Sequence, residues 1–329
     1  MFAYIAARLL QAIPVLLAVG FIAFALFAYV GDPVQIMLGQ DFTEAQRLAL
    51  QHSLGLDQPF FVQYGHFMWA MLHGNFGLSY RLATPVGGLI AARFPATAEL
   101  VLASAILALV VGVPLGIYTG IHRESWLSRL IMGFSLIGVS LPTFLLGILL
   151  ILFFSVLLGW LPSFGRGSVV NFAHWSTGFL TLSGLKSLIL PSITLGLFQM
   201  TLIMRLVRTE MLEVLRSDYI KFARARGLSQ RAIHFGHALK NTLVPVITIV
   251  GLQIGSLLAF SLVTETVFQW PGMGLLLVQS IGVADIPVMS AYLMLVSVFF
   301  VLINLIVDLL YYAVDPRLRV DRRGRGGSR

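Results

Sequence analysis

The chain has 329 residues, of which 58% are hydrophobic and only 11% are charged, with a formal net charge of +8 and no cysteine. A soluble domain carries roughly 25% charged residues, so the composition excludes an ordinary soluble protein and indicates a membrane protein. The lack of cysteine excludes disulfides, thiolate nucleophiles and thiolate-bound metals.

Transmembrane helices are predicted wherever about 20 mostly apolar residues follow one another. The stretches that meet or approach this length are Leu10 to Val30, Leu100 to Ile121, Leu130 to Leu158, Leu188 to Met204, Leu243 to Phe268 and Val288 to Val314. The first is too long for the apolar part of a signal peptide, and no small-residue cleavage site follows it. We therefore expect an all-α polytopic membrane protein with about six spans.

Basic residues set the expected orientation, because cytoplasmic segments hold an excess of Lys and Arg. With the N-terminus inside, the four inside segments hold one, two, eight and six of the 22 basic residues, against five in the outside segments. Both termini are therefore predicted to be cytoplasmic. The basic tail from Arg317 could also contact nucleic acid, but beside a span it is better explained as a topology signal.

The predicted organisation has three parts. Residues 1–98 form an N-terminal span and an outside helical segment, residues 99–314 a core with a cytoplasmic loop at 205–242, and residues 315–329 a basic tail. In the outside segment, Thr43 and Gln46 match a capping box at the start of a short helix. Pro59 is expected to begin a second helix.

Two prolines mark expected irregularities next to or within spans. Pro85 to Arg93 is predicted to form a short helix before the second span, and Pro142 in "SLPTF" is predicted to kink the third span. The carbonyl freed by such a kink must find another partner in the bilayer.

Catalytic and metal-binding signatures are missing from the sequence. None of the lysines (Lys186, Lys221 and Lys240) follows a glycine, so no P-loop for ATP is present. His234 and His237 stand three apart without an obvious third ligand, and we predict no metal site and no cofactor bound by this chain.

Acidic residues lie near the ends of predicted spans, at Glu99, Glu265, Asp308 and Asp315. An ionisable group in a bilayer is costly and suggests a functional role. Since these positions can be reached by water or arginine, we expect structural pairing, and no carboxylate is placed at mid-bilayer to carry protons.

The basic stretch "DYIKFARARGLSQRAIHFGHALKNTLVP" stands between two predicted spans. Ser217 is suited to cap a helix, Asp218 to complement its dipole, and Gly227 to end it in the left-handed conformation. Ser229 can then cap a second short helix through Lys240. The pattern predicts two short helices with a glycine corner in the cytoplasm.

Two partners fit this corner on composition alone. From Arg205 to Asn241 the chain holds eight basic and three acidic residues, which favours an anionic lipid surface. Ala223 and Gly227 present small faces that another protein can approach closely. Both alternatives stay open at this point.

Motifs along almost the whole chain resemble one transporter family. The stretch "DYIKFARARGLSQRAIHFGHALKNTLVPVIT" resembles the cytoplasmic coupling loop of ABC-importer permeases in the dipeptide and oligopeptide (also nickel) branch. Further matches to the first permease subunit of that branch are "GDPV", "LGLDQPFFVQY", "GNFGLS", "RFPATAEL", "SLPTF", "LPSITLG", "TETVFQWPGMG" and "NLIVDLLYYAVDPRLR".

The resemblance implies a type I ABC importer permease fold in the bacterial inner membrane. It also implies a second homologous permease, two ATP-binding subunits that hold ATP and Mg, and a periplasmic solute-binding protein, with this chain non-catalytic. It assigns coupling to the ATPase to Tyr219, Ala223, Arg224, Ala225, Gly227 and Leu228. We predict that polar residues on the third and fifth spans line the pathway, namely Ser140, Gln253, Ser256 and Thr264.

Departures and rival functions accompany the resemblance. Ahead of the sixth span the family often has Arg-Asp-Tyr-Pro, where this chain has Ala284, Asp285, Ile286 and Pro287. The same machine could carry nickel, glutathione, an opine or another small solute. From other classes, the alternatives are a receptor or scaffold, and a channel, which lacks support because no selectivity segment repeats.

Overall fold

The computed structural model describes residues 2–29, 34, 38, 42–53, 55–173 and 175–314, and these residues are mainly helical. In chain order the elements are α1 (Phe2–Tyr29), α2 (Glu44–Ser53), α3 (Phe60–Leu72), α4 (Val86–Ile121), α5 (Trp126–Ser140), α6 (Thr143–Leu150), a first π-helix (Ile151–Leu157), β1 (Val170–Phe172), β2 (Trp175–Thr177), α7 (Leu182–Arg216), α8 (Asp218–Ala225), a second π-helix (Ala232–Ala238), α9 (Leu239–Val267), α10 (Met273–Ile281) and α11 (Ile286–Val314).

The number of spans agrees with the sequence. Among the described residues, α1, α4, α7, α9 and α11 contain segments long and apolar enough to cross a membrane. A sixth span results if α5 and the segment Thr143–Leu157 are taken together. The prediction of about six transmembrane helices in an all-α protein is confirmed.

The third span is broken rather than kinked. Its two halves, Trp126–Ser140 and Thr143–Leu157, meet at 111°. Leu141 is extended, with φ −89° and ψ 133°, as a residue before proline prefers. Pro142 then precedes the first turn of α6, so the chain turns sharply instead of bending within one helix.

Two predicted helix boundaries are wrong. The short helix predicted at Pro85 to Arg93 is the first part of α4, which runs without a break to Ile121. The second cytoplasmic helix likewise continues from the second π-helix into α9. Just after Arg93, the polar residues Thr97 and Glu99 are buried within α4, where distant parts of the chain satisfy them by hydrogen bonds.

Smaller details of the outside segment are confirmed. The capping box forms, with the Thr43 N–H donating to Gln46 Oε1 at 2.9 Å and the Gln46 N–H donating to Thr43 Oγ1 at 3.3 Å. Pro59 directly precedes α3.

At the inner end of the first span, Arg8 Nε lies 2.9 Å from Asp308 Oδ2, so Asp308 is structurally paired as expected. Asp315 lies outside the described residues.

Helices α4 and α7 approach each other through a row of glycines spaced four residues apart. A Cβ at Gly112 would lie 2.9 Å from the carbonyl oxygen of Met200, and one at Gly120 would lie 2.9 Å from Met211 Cβ. At Gly116 the distance to the Met204 carbonyl oxygen would be 2.7 Å. Small residues at this spacing let two transmembrane backbones touch. The spacing is visible in the stretch "GVPLGIYTG" but was not among the predictions.

We expect the substitution Gly116→Ala to push α4 and α7 apart and to destabilise the protein by about 1–3 kcal/mol, as overpacked cores do. The thermal unfolding temperature of the detergent-purified full chain would measure the loss. Gly133→Ala is the control, because a Cβ at Gly133 meets nothing within 4 Å. Equal unfolding temperatures for the two variants would contradict this packing.

Candidate functional site

The cytoplasmic corner is built from α8 and a glycine that ends it. The Leu228 N–H donates to the Ala223 carbonyl at 3.3 Å, and the Gly227 N–H donates to the Arg224 carbonyl at 2.9 Å. With φ +79° at Gly227, these bonds form the left-handed helix end that the sequence predicted. The predicted capping by Ser217 is wrong. Its hydroxyl does not accept an N–H of α8 but donates to the Val214 carbonyl at 2.6 Å.

The first turn of α8 carries a local ion pair. Lys221 Nζ lies 2.8 Å from Asp218 Oδ1. The hydrogen bond from Lys221, and then its charge, lower the pKa of Asp218. Asp218 therefore stays ionised at the positive end of the helix dipole, as predicted.

One side of α8 is seated on the subunit itself. Ile220 and Ala223 are buried in a cluster with Met211, Ile233 and Ala238. Ala223 is only 6% exposed, so its small side chain permits close packing of α8 on the second π-helix. Its methyl group is not part of the surface that a partner would meet.

The other side of α8 presents apolar and basic groups to the surroundings. Phe222 is 65% exposed, and the guanidinium of Arg226 lies 5.9 Å from the centre of its ring. The remaining exposed members are Tyr219, Arg224, Ala225, Gly227 and Leu228. Together with Phe222 these residues are called the coupling surface below. Phe222 was missed from the sequence, although it lies three residues after Tyr219 on one helix face.

The coupling surface is tied directly to a span. Asn241 Nδ2 donates to the Tyr219 hydroxyl at 2.7 Å. Ser229 Oγ accepts the Ala232 N–H at 3.3 Å, which confirms its predicted capping role. The second π-helix runs into α9 without a break, so the chain between α8 and this span contains no further loop after Arg231.

At the outer end of α9, Glu265 is fully buried and accepts hydrogen bonds from two other elements. Thr97 Oγ1 of α4 donates to its Oε1 at 2.7 Å, and the Leu275 N–H in the first turn of α10 donates to its Oε2 at 3.0 Å. A Cβ at Gly272 would lie 2.4 Å from the carboxylate carbon, so this turn needs glycine. The carboxylate accepts from N–H groups that have no partner within α10 and interacts favourably with the dipole of that helix.

The turn after α9 is fixed to α4 by a second contact. Trp270 Nε1 donates to the Ala96 carbonyl at 2.8 Å, and the indole is buried. The Met273 N–H donates to Thr97 Oγ1 at 2.8 Å. The structural pairing expected for Glu265 is therefore present, with neutral donors instead of a cation.

A buried ion pair holds the outside loop that follows the third span. Arg166 Nη2 lies 2.6 Å from Glu99 Oε2, and Arg166 Nε lies 2.9 Å from the same oxygen. The guanidinium also donates to Ser176 at the end of the hairpin formed by β1 and β2. Glu99 is thus structurally paired, as predicted.

A third outer contact involves Asp285, the acidic residue that this chain shares with the family pattern before the last span. Ser79 Oγ donates a short hydrogen bond to Asp285 Oδ2, and the Tyr80 N–H donates to Oδ1 at 3.0 Å. Burial, and then the charge of Asp285, raise the pKa of Tyr80 to about 12. The turn "GNFGLS" is therefore anchored to α11 without the arginine and tyrosine that the family often has.

The residues predicted to line a pathway do not share one surface in this conformation. Ser140 is exposed at the break of the third span, and Gln253 is half-buried. Ser256 accepts a hydrogen bond from Gln199 Nε2 at 2.8 Å and donates to the Gln253 carbonyl at 2.7 Å. Thr264 is fully buried inside the subunit.

Gln199 of α7 forms a polar cluster with Gln253 and Ser256 of α9. The two residues of α9 were singled out from the sequence, but Gln199 was not. Gln199 is 3% exposed, and its Oε1 is buried without a hydrogen-bond partner. Within the described ranges, no group of three or more His, Asp or Glu side chains could hold a metal ion.

Two family profiles match this chain. Residues 112–320 match the binding-protein-dependent transport system inner membrane component, and residues 1–101 match the N-terminal part of the corresponding membrane component. Together these matches cover most of the chain.

Curated relatives match over nearly the full length. The dipeptide transport system permease protein of Alkalihalophilus pseudofirmus is 40% identical over 97% of this chain and 100% of its own. The dipeptide permease of Escherichia coli K12 is 38% identical over 97% and 99%. The glutathione transport system permease protein of Salmonella typhimurium is 42% identical over 96% and 98%.

A solved structure has the same fold. The inward-facing MetNI methionine ABC transporter matches with a TM-score of 0.53 and 21% sequence identity. The match covers 67% of this chain and 93% of that chain. At this identity the likeness supports the fold, a type I importer permease, and nothing more specific.

Proposed function

Since this chain belongs to the family of binding-protein-dependent transport system inner membrane components, we propose that it is the first permease subunit of an ATP-driven importer of di- or oligopeptides. The names of relatives at 38–42% identity support a peptide solute. Glutathione, itself a tripeptide, is the second candidate, because one relative of comparable identity is a glutathione permease.

One observation carries the mechanism: the exposed coupling surface and a span belong to a single connected unit. Helix α8 is fixed to the second π-helix by buried Ile220 and Ala223, and to α9 by the bond between Tyr219 and Asn241. The same α9 ends outside at Glu265, which holds α4 and α10. Movement at the cytoplasmic face therefore reaches the outer contacts along one helix.

In the proposed importer, this chain divides the work with three kinds of partner. A P-loop ATPase docks on the coupling surface, and ATP and Mg are bound by that partner. A second permease subunit completes the pathway, and a solute-binding protein delivers the peptide from outside. ATP binding closes the ATPase pair and drives α8, and with it α9, from the inward-facing to the outward-facing arrangement. This chain performs no catalytic step.

We expect Phe222→Ser to weaken retention of the ATPase subunits roughly tenfold, because exposed aromatic anchors dominate interfaces of this kind. Retention in the co-expressed, detergent-purified complex would be measured together with transport in proteoliposomes. Trp126→Ser is the control, since Trp126 is also a strongly exposed aromatic residue, at the start of α5, and is not a member of the coupling surface. Unchanged retention and transport in the Phe222→Ser variant would refute the docking site.

The pathway is proposed to run along Ser140, Gln253, Ser256 and Thr264. Ser140 is exposed and Gln253 and Ser256 are half-buried in the present conformation, whereas Thr264 becomes accessible only when α9 moves. The full burial of Thr264, compared with the partial exposure of Gln253 on the same helix, supports this order.

Cysteine labelling tests this pathway directly, because the chain has no cysteine of its own. We expect a water-soluble maleimide to label Ser140→Cys and Gln253→Cys in the assembled complex, and Thr264→Cys only in one nucleotide state. Ser104→Cys is the unreactive control, since Ser104 is fully buried in α4. Lack of labelling at positions 140 and 253 in every nucleotide state would exclude them from the pathway.

A further inference from the structure

A cavity of about 410 Å³ opens at the inner end of α4, beside the second π-helix. It adjoins the coupling surface at Arg224, whose charge acts on the lining residue His234. Its walls include Pro114, Ile117, Tyr118, His122, His234 and Phe235.

The cavity changes character along the membrane normal. Pro114 and Ile117 lie on the membrane side, and His122 directly follows the last residue of α4. At 1.5 Å per residue, Pro114 and His122 are about 12 Å apart along the helix. Tyr118 lies between them, with its ring 4.8 Å from the imidazole of His122. The floor is therefore apolar, and the rim faces the cytoplasm with hydrogen-bond donors.

The rim is basic. Burial, and then the charges of Arg224 and His122, hold the pKa of His234 below its usual value. No carboxylate lines the cavity. Glu124, the acidic residue nearest in sequence to His122, is paired with Arg123 at 3.2 Å. An anion at the rim would meet the imidazoles of His122 and His234, with the charge of Arg224 nearby and no negative group among the lining residues.

We propose that this cavity binds an anionic phospholipid of the cytoplasmic leaflet, with an acyl chain over Pro114 and Ile117 and the phosphate between His122, His234 and Arg224. The argument depends on the two ends together. A soluble anion would use the basic rim but leave the apolar floor empty, whereas a phospholipid matches both. The inner leaflet also supplies negative headgroups at this depth.

This site connects the lipid to the coupling segment. Arg224 belongs to α8, His234 to the second π-helix and His122 to the end of α4. A phosphate shared by the three elements would hold the cytoplasmic corner against the end of a span.

Native mass spectrometry of the full chain in mild detergent, with equal amounts of dioleoyl phosphatidylglycerol and phosphatidylcholine, tests the site. We expect phosphatidylglycerol to be retained preferentially. The double variant His122→Gln, His234→Gln should retain at least about fivefold less, the scale of one basic contact with an anionic surface. The matched control His66→Gln, His73→Gln removes two exposed histidines of the outside segment and should bind like the parent.

A second variant separates a lipid from a phosphate alone. Phe235 is an exposed wall of the cavity, so Phe235→Ser should lower phosphatidylglycerol retention without changing any charge. The proposal is overturned if both lipids are retained equally, if the double variant binds like the parent, or if Phe235→Ser has no effect. Loss of preferential retention in the co-purified complex would assign the cavity to a partner subunit and would also overturn it.

Discussion

The close packing of α4 on α7 is the contact on which the rest of the subunit depends. Gly112, Gly116 and Gly120 let the two backbones touch where any side chain would collide. In a bilayer, close van der Waals packing takes over much of the role that the hydrophobic effect has in water. With these helices fixed together, α4 places Thr97 and Glu99 at the outer end and His122 at the inner end, while α7 leads directly into α8.

The outer and inner ends solve different physical problems. Outside, buried carboxylates would be costly if left unpaired. Glu99 has Arg166, Asp285 has Ser79 and the Tyr80 N–H, and Glu265 has Thr97 and the N-terminal turn of α10. These contacts tie loops and helices together at one end. Inside, α8 buries Ile220 and Ala223 and leaves an aromatic and basic surface exposed. The outer end thus holds the helices in place, and the inner end leaves the surface on which docking is proposed.

Much of this arrangement could be predicted from local sequence. The capping box at Thr43, the left-handed end at Gly227 and the apolar runs of the spans all depend on residues close together in the chain. Glu99 and Asp308 were each expected to have a structural partner. The partners could not be named, because they are distant in sequence. At Pro142 the chain breaks the helix instead of kinking it, because the preceding residue, Leu141, is extended.

The failures share one cause, which is tertiary contact. The boundary expected after Arg93 did not form, because Thr97 and Glu99 are satisfied by Glu265 and Arg166 from far along the chain. Ala223 was expected on a docking face, but burial against Ile233 turned it inward and left Phe222 exposed. The sequence does not show which way a polar side chain on a span points. The full burial of Thr264 and the partial exposure of Gln253 therefore became visible only in the packed structure.

The central claim is that this chain works as one permease subunit of an ATP-driven importer, and its partners provide the most direct test. The tagged protein would be purified from its native membrane in mild detergent, and the co-purifying proteins identified by mass spectrometry. The account predicts a second, homologous permease together with P-loop ATPase subunits. Recovery of the chain alone, or with unrelated proteins, would contradict it.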